Sequence, residues 1–253
     1  SPLNLKFVID AFASKDTVKK EKKLIDLCFN SVAIRRSKFS YHVKNAPQTP
    51  GKFNAKHVDI ENISAKISLK AISKDSIDAQ IERLSLDEAS GVHLNKLALD
   101  VKANRDSALL SNLTIKLPNT DFTINNTSIH YSGIDSISGI VEYAPIQLNI
   151  APSRITPKDI SAFVPALRNF TESIDLSGHA DGSINNIDLN QLTLRYGDMM
   201  FFQGAMNLKG IRHPEEAYIF GSVKNMFITS EGVNRIVNNF SDKKVVLPQE
   251  VEK

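Results

Sequence analysis

Catalysis and metal binding need polar side chains at defined spacings, and this chain offers few. Its six histidines stand at 42, 57, 93, 130, 179 and 213, with no pair at the interval that sets two ligands on one helix face or one strand face. No metal and no cofactor is expected. His179-Ala180-Asp181 would put an imidazole and a carboxylate on one side of a strand, with Asp181 orienting His179 as a base. No nucleophile motif accompanies the pair, and a polar strand running into an Asp181-Gly182 turn is the simpler account. The chain has no phosphate-cradling loop, nucleophile elbow or glycine-rich dinucleotide fingerprint. The expectation is a protein without a catalytic site. Cys28, the single cysteine, lies between Leu27 and Phe29 in strand alternation, as a thiol on a polar face or a small packing residue. One cysteine provides no intrachain disulfide framework.

The densest charge is Lys15, Lys19, Lys20, Lys22 and Lys23, followed by Arg35, Arg36 and Lys38. Such a cluster suits anionic headgroups or an acidic protein. It equally suits a solvated loop between strands, the reading that the interspersed Asp16 and Glu21 favour. A net charge of +3 is too small for the broad basic surface of a nucleic-acid binder. Sequons such as Asn112-Leu113-Thr114 arise by chance in a chain rich in Asn and Ser.

With chemistry set aside, the elements carry the information. The 253 residues are 42% hydrophobic, enough for a substantial core. Period-two alternation recurs in Leu5, Phe7, Ile9; Ile25, Leu27, Phe29; Phe39, Tyr41, Val43; and Ile63, Ala65, Ile67, Leu69. It continues in Ile77, Ala79, Ile81; Leu97, Leu99, Val101, Ala103; Leu113, Ile115, Leu117; Phe122, Ile124; Ile146, Leu148, Ile150; and Leu192, Leu194, Tyr196. Polar residues such as Ser64, Lys66, Ser68 and Lys70 take the alternate positions, so one sheet face is wet and the other apolar. Roughly 14 strands are expected, about 65 Å if laid side by side. The candidate lining of the apolar face is Ile63, Ile67, Leu69, Ile77, Ile81, Leu97, Leu99, Val101, Leu113, Ile115, Leu117, Leu192 and Leu194.

A finer signature recurs: apolar, two polar, apolar, polar, apolar. It appears in Leu94-Asn95-Lys96-Leu97-Ala98-Leu99, Leu110-Ser111-Asn112-Leu113-Thr114-Ile115 and Leu189-Asn190-Gln191-Leu192-Thr193-Leu194, and starts again at Ile60-Glu61-Asn62-Ile63. The doubled polar residue shifts the alternation by one, so a bulge or tight bend must restore the phase. Repeated bends curve a sheet and turn its apolar face into the inside of a trough.

Two segments break the β pattern. Thr156-Pro157-Lys158-Asp159 reads as a capped helix start, followed by Ile160, Phe163, Val164 and Leu167 at helical spacing, with a kink expected at Pro165. This helix is the candidate cover for a groove. Thr229 or Ser230 caps a second helix with the stripe Val233, Ile236, Val237 and Phe240. The expected organisation is a β segment 1–151, a helical connection 152–172, further sheet 173–228, and a C-terminal helix and tail 229–253. Hairpin turns are expected at Ser90-Gly91, Asp181-Gly182 and Gly197-Asp198.

No run of about 18 apolar residues and no signal peptide is found. Ser1-Pro2 leads directly into strand alternation, which reads as a piece of a longer chain. The stretch Asp75-Ser76-Ile77-Asp78-Ala79-Gln80-Ile81-Glu82-Arg83-Leu84-Ser85-Leu86-Asp87-Glu88-Ala89-Ser90-Gly91, running on to Leu94 and Leu97, resembles a recurring block in TamB-like proteins of the Bacteroidetes. Leu192-Thr193-Leu194-Arg195-Tyr196-Gly197, Gly204 and Pro214-Glu215-Glu216-Ala217-Tyr218-Ile219-Phe220-Gly221 extend the resemblance, which spans roughly residues 50 to 240.

The resemblance implies an all-β, elongated, curved, mostly antiparallel sheet of the β-taco or open-groove type, with one or two short amphipathic helices. It implies a periplasmic segment of an AsmA-like protein anchored in the inner membrane outside this chain. Phospholipid acyl chains in the groove are the expected cargo, and an outer-membrane barrel assembly protein is a further expected partner. Three roles stay open at this point: phospholipid transport between the membranes, a scaffold for outer-membrane protein assembly by strand augmentation, and a closed structural β domain.

Overall fold

A computed structural model describes residues 29–72, 76–131, 143–170, 172–183, 185–210 and 217–240. The strand runs at Leu5 and Ile25, Cys28, the lysines from 15 to 23 and His213 lie outside the described residues. The strands are β1 (Phe29–His42), β2 (His57–Ile72), β3 (Ser76–Glu88), β4 (Val92–Asn104), β5 (Ser107–Lys116) and β6 (Asp121–His130). They continue as β7 (Ile146–Ile155), β8 (Ile174–Ser183), β9 (Asn186–Tyr196), β10 (Met200–Lys209) and β11 (Tyr218–Ile228), and the helix α1 spans Ser230–Phe240. All eleven strands form one antiparallel sheet in simple chain order, β1 to β11. The described residues thus hold eleven strands instead of the fourteen expected, and β1 and β11 are the sheet's two edges. The sheet continues without a break across residues 152–172, because β7 pairs with β8 from Ile146↔Gly182 to Ile155↔Ile174.

Long strands stay in one sheet here because the alternation is reset inside them. Asn62, Asn112 and Gln191, the second polar residues of three signature copies, have φ of 54, 55 and 50°, and Arg36 in β1 has 47°. This left-handed backbone suits the extra residue of a bulge, and asparagine tolerates it better than most side chains. Register slips accompany the signatures. Asn95 and Lys96 together face Ser85, between the pairs Leu84↔Leu97 and Leu86↔Leu94. Gln191 lies at the slips between β8 and β9 and between β9 and β10. The same spacing in Ile81-Glu82-Arg83-Leu84-Ser85-Leu86 also bulges, where Glu82 and Arg83 face Ala98. These irregularities form a crease across the sheet at mid-strand, from Ile34/Ser37 in β1 to Gln203/Gly204 in β10. The expected bends within long strands are present, and the sheet is curved.

Two expectations about local structure are corrected. Asp181-Gly182 is not a turn but lies within β8. Gly182 has φ +119°, and a Cβ there would stand 2.3 Å from the Asn186 carbonyl oxygen, so glycine serves a close approach between β8 and β9. The expected helix after Thr156 is instead two 3-10 turns, Pro157–Ile160 and Pro165–Leu167. Pro165 starts the second turn. Its ring disfavours a helical Val164, which has φ −126° and ψ 86°, so the helix stops there and is not merely kinked. Turns at Ser90-Gly91 and Gly197-Asp198 are as expected, and Thr229 caps α1 by accepting the Gly232 N–H through Oγ1 at 3.0 Å.

Candidate functional site

Registered partners in a sheet point to the same side, so the pairing pattern shows how far the apolar face extends. One row runs Ile34, Ala65, Leu84, Leu97, Ile115, Phe122 from β1 to β6. A second runs Leu69, Ala79, Val101, Leu110, Thr127, Leu148, Ala180, Leu189, Met206, Gly221 from β2 to β11. A third runs from Ile77 through Ala103, Ala108, Ile129, Ile146, Gly182, Ile187 and Leu208 to Ile219. Val32, Ile67, Ile81 and Leu99 register with one another, as do Leu113, Ile124 and Ile150. Leu192 meets Gly204, which in turn meets Val223, while Leu194 meets Leu176 and Phe202. Ile63, two residues before Ala65, shares the face, and Leu117 is buried just past the end of β5. The residues expected to line an apolar face are therefore brought onto one surface.

That surface is only partly withdrawn from water. Ile63, Ile67, Leu69, Ile81, Leu97, Leu99, Val101, Leu113, Ile115 and Leu194 are half-buried, Leu192 is buried, and Ile77 is exposed. Burial is strongest toward β8 to β10, where Ala180, Leu192, Tyr196 and Phe202 are 1 to 5% exposed. Thr127 is the polar interruption of the second row, and its Oγ1 is buried without a hydrogen-bond partner.

One end of the sheet is capped. The connection between β7 and β8 lies across the ends of the preceding strands and is fixed there by polar contacts. Asp159 accepts from the Asn119 backbone N–H at 2.8 Å, the Asn119 side-chain amide at 3.1 Å and the Thr120 hydroxyl at 2.9 Å. Thr156 donates its hydroxyl to the Asn119 carbonyl at 2.9 Å, and its N–H reaches Thr120 Oγ1 at 3.0 Å. The connection then meets the β1–β2 loop. Phe53 N–H donates to the Ala162 carbonyl at 2.9 Å, and the Phe53 and Phe163 rings stand 5.0 Å apart. Of the expected covering residues, Ile160 and Leu167 are half-buried while Phe163 and Val164 are exposed. α1 packs on the second 3-10 turn, with Arg235 paired to Glu172 at 2.7 Å and Asn239 donating to Tyr196 Oη at 3.2 Å. Burial pushes the Tyr196 phenol above its ordinary value.

The opposite face is polar and partly organised by charge. Lys116, Asp121, Arg154, Asp175 and Arg195 are consecutive registered partners from β5 to β9. Lys116 pairs with Asp121 at 2.5 Å, and Arg154 grips Asp175 at 2.7 and 3.1 Å. The hydrogen bond from Arg154 holds the Asp175 carboxyl below the usual carboxylate range. Bulge asparagines join this face: Asn62 donates to Asp87 at 2.7 Å and Asn112 to Asp100 at 2.8 Å. The row then turns aromatic, with Arg195 over the Phe201 ring at 5.2 Å and Phe201 stacked on Phe227.

The sequence reading missed two features. β11 carries exposed apolar side chains on both faces, and its Tyr218, Ile219 and Phe220 are 61, 69 and 66% exposed. The signal was present in the unbroken Tyr218-Ile219-Phe220, which alternation cannot assign to one side. Histidines 42 and 57, remote in sequence, are registered partners across β1 and β2. His179 and Asp181 lie on β8 opposite Asn190 and Asp188, and no hydrogen bond between the two is found. Among the described residues no group of three or more His, Cys, Asp or Glu converges on a common point, and no helix is long and apolar enough to cross a membrane, which says nothing of strands.

An apolar surface eleven strands wide is thus the site's defining feature. Set against protein-family models, curated proteins and solved structures, the chain gives no match. Its function has to be argued from this surface.

Proposed function

We propose that the chain is a non-enzymatic periplasmic segment of a bridge-like protein of the TamB or AsmA-like type, whose creased apolar face carries phospholipid acyl chains between the inner and outer membranes. The observation that supports the reading is the continuity of overlapping registered apolar rows, one from β1 to β6 and another from β2 to β11, on side chains that are mostly half-buried. A packed core of this breadth would bury them. Acyl chains laid along such a floor gain about 0.8 kcal/mol for each methylene removed from water, with no need for a specific polar contact. Headgroups stay in solvent beyond the rim. The protein purified in mild detergent and examined by native mass spectrometry is expected to carry phospholipid. Protein that is lipid-free under these conditions, and takes up none from added vesicles, overturns the proposal.

A second reading, a scaffold for outer-membrane protein assembly, is favoured by a different observation. Among the described residues β11 is a sheet edge with exposed apolar side chains on both faces, a template onto which another strand can add. Photocrosslinkers at Phe220 and Val223 would then capture a barrel protein, where the transport reading expects capture of lipid from Ile81 and Leu99. The third role, a closed structural domain, is disfavoured by the half-buried face and by β1 and β11 not pairing with each other among the described residues.

A further inference from the structure

His42 and His57 close the loop between β1 and β2, and their imidazoles meet edge to edge. The two Nδ1 atoms are 3.2 Å apart. His42 Nε2 lies 3.0 Å from Asp59 Oδ1, and His57 Nε2 lies 2.8 Å from the Ala46 carbonyl oxygen. A carboxylate and a carbonyl offer no hydrogen, so each Nε2 carries the N–H and donates it. Two neutral imidazoles in these tautomers then turn their Nδ1 lone pairs toward each other. Facing lone pairs repel, and a positive charge between them, one shared proton or a metal ion, turns the contact into an attraction.

Two features favour the ion. Ligands at 2.0–2.1 Å from a tetrahedral zinc stand about 3.4 Å apart, close to the observed separation. Metal-bound histidines almost always donate their remote N–H to a carboxylate or a backbone carbonyl, and this pair shows one of each. Asp59 is the registered partner of Ser40, two residues along the strands from the His42 and His57 pair.

We propose that His42 and His57 form a two-histidine site for a late first-row divalent cation, Zn²⁺, Ni²⁺ or Cu²⁺, with the remaining positions open to water or to a partner's side chain. Imidazole nitrogen suits these ions, with Cu²⁺ bound most tightly. The bound ion clips the loop that carries Phe53, and Phe53 is the loop's bond to Ala162 and its ring contact with Phe163. Metal therefore fastens the cap at this end of the sheet.

Calorimetric titration of the whole chain with ZnCl₂, NiCl₂ and CuCl₂ tests this. One equivalent should bind the native protein. Binding should be lost in His42→Asn and in His57→Asn, weaken about ten-fold or more in Asp59→Asn, and persist in His93→Asn, which removes a histidine paired only with Asp87. Circular dichroism checks that the variants fold. A measurement independent of any variant is the ¹⁵N imidazole spectrum of the native protein, where Zn²⁺ should shift both Nδ1 resonances together. Native protein that binds no more tightly than His42→Asn or His57→Asn, or Nδ1 signals that keep a shared proton at stoichiometric Zn²⁺, overturns the proposal.

Discussion

At the residue scale, shape depends on Asn62, Asn112, Gln191 and Arg36, held in a backbone region that most side chains avoid. Asn112 has φ 55° and donates to Asp100 across β4 and β5, and Asn62 repeats both features with Asp87. A β-branched side chain at φ > 0 adds strain of about 1–3 kcal/mol. Asn112→Val should therefore lower stability by roughly that amount plus the lost hydrogen bond, while Asn112→Gly should lose little beyond the hydrogen bond. Chemical denaturation of the two variants checks the order. Equal losses would mean that the bulge does not depend on the left-handed residue. The doubled polar signature was legible because polarity alone marks a phase slip. The choice of the second polar residue as the one with positive φ was not, since Lys96 fills that place in one copy without appearing among the positive-φ residues.

At the scale of elements, most strands could be read from alternation, and β8 and β10, two that could not, share a cause. β8 places Gly178, Ala180 and Gly182 on the apolar face, and β10 places Gly204 there. Small residues supply no hydrophobic period, yet the sheet needs them where neighbouring backbones crowd. A Cβ on Gly204 would stand 2.1 Å from the Ser222 carbonyl oxygen, with the Phe202 ring at 3.1 Å. Gly204→Ala should consequently pull β11 off the sheet while leaving β2 to β6 paired. Hydrogen exchange should show faster amide exchange in residues 218–228 and unchanged protection in 57–130. Uniform loss of protection would show that the edge and the middle of the sheet unfold as one unit. The turns after Thr156 were misread for another reason: helical spacing of Ile160, Phe163, Val164 and Leu167 satisfies an amphipathic pattern, but Pro165 forbids the backbone that the pattern assumes.

At the scale of the whole molecule, an open apolar face and a sealed core respond oppositely to charge. Ile67 registers with Val32 and Ile81 near the middle of the long strands, and it is half-buried. A carboxylate sealed into a core without a partner costs several kcal/mol and commonly abolishes folding. On a face that water or a lipid tail covers in turn, the carboxylate stays hydrated and the sheet keeps its backbone pairing. Ile67→Asp should therefore fold, with a β-type circular dichroism spectrum and a modestly lowered melting temperature, yet carry less phospholipid than the native chain. Glu82→Asp, on the polar side beside Lys66, serves as a control and should leave lipid content unchanged. Unfolding of Ile67→Asp with normal lipid content in the control would indicate a closed core at that position. Full lipid loading of a folded Ile67→Asp would instead place the acyl chains elsewhere, away from the β2–β4 part of the crease.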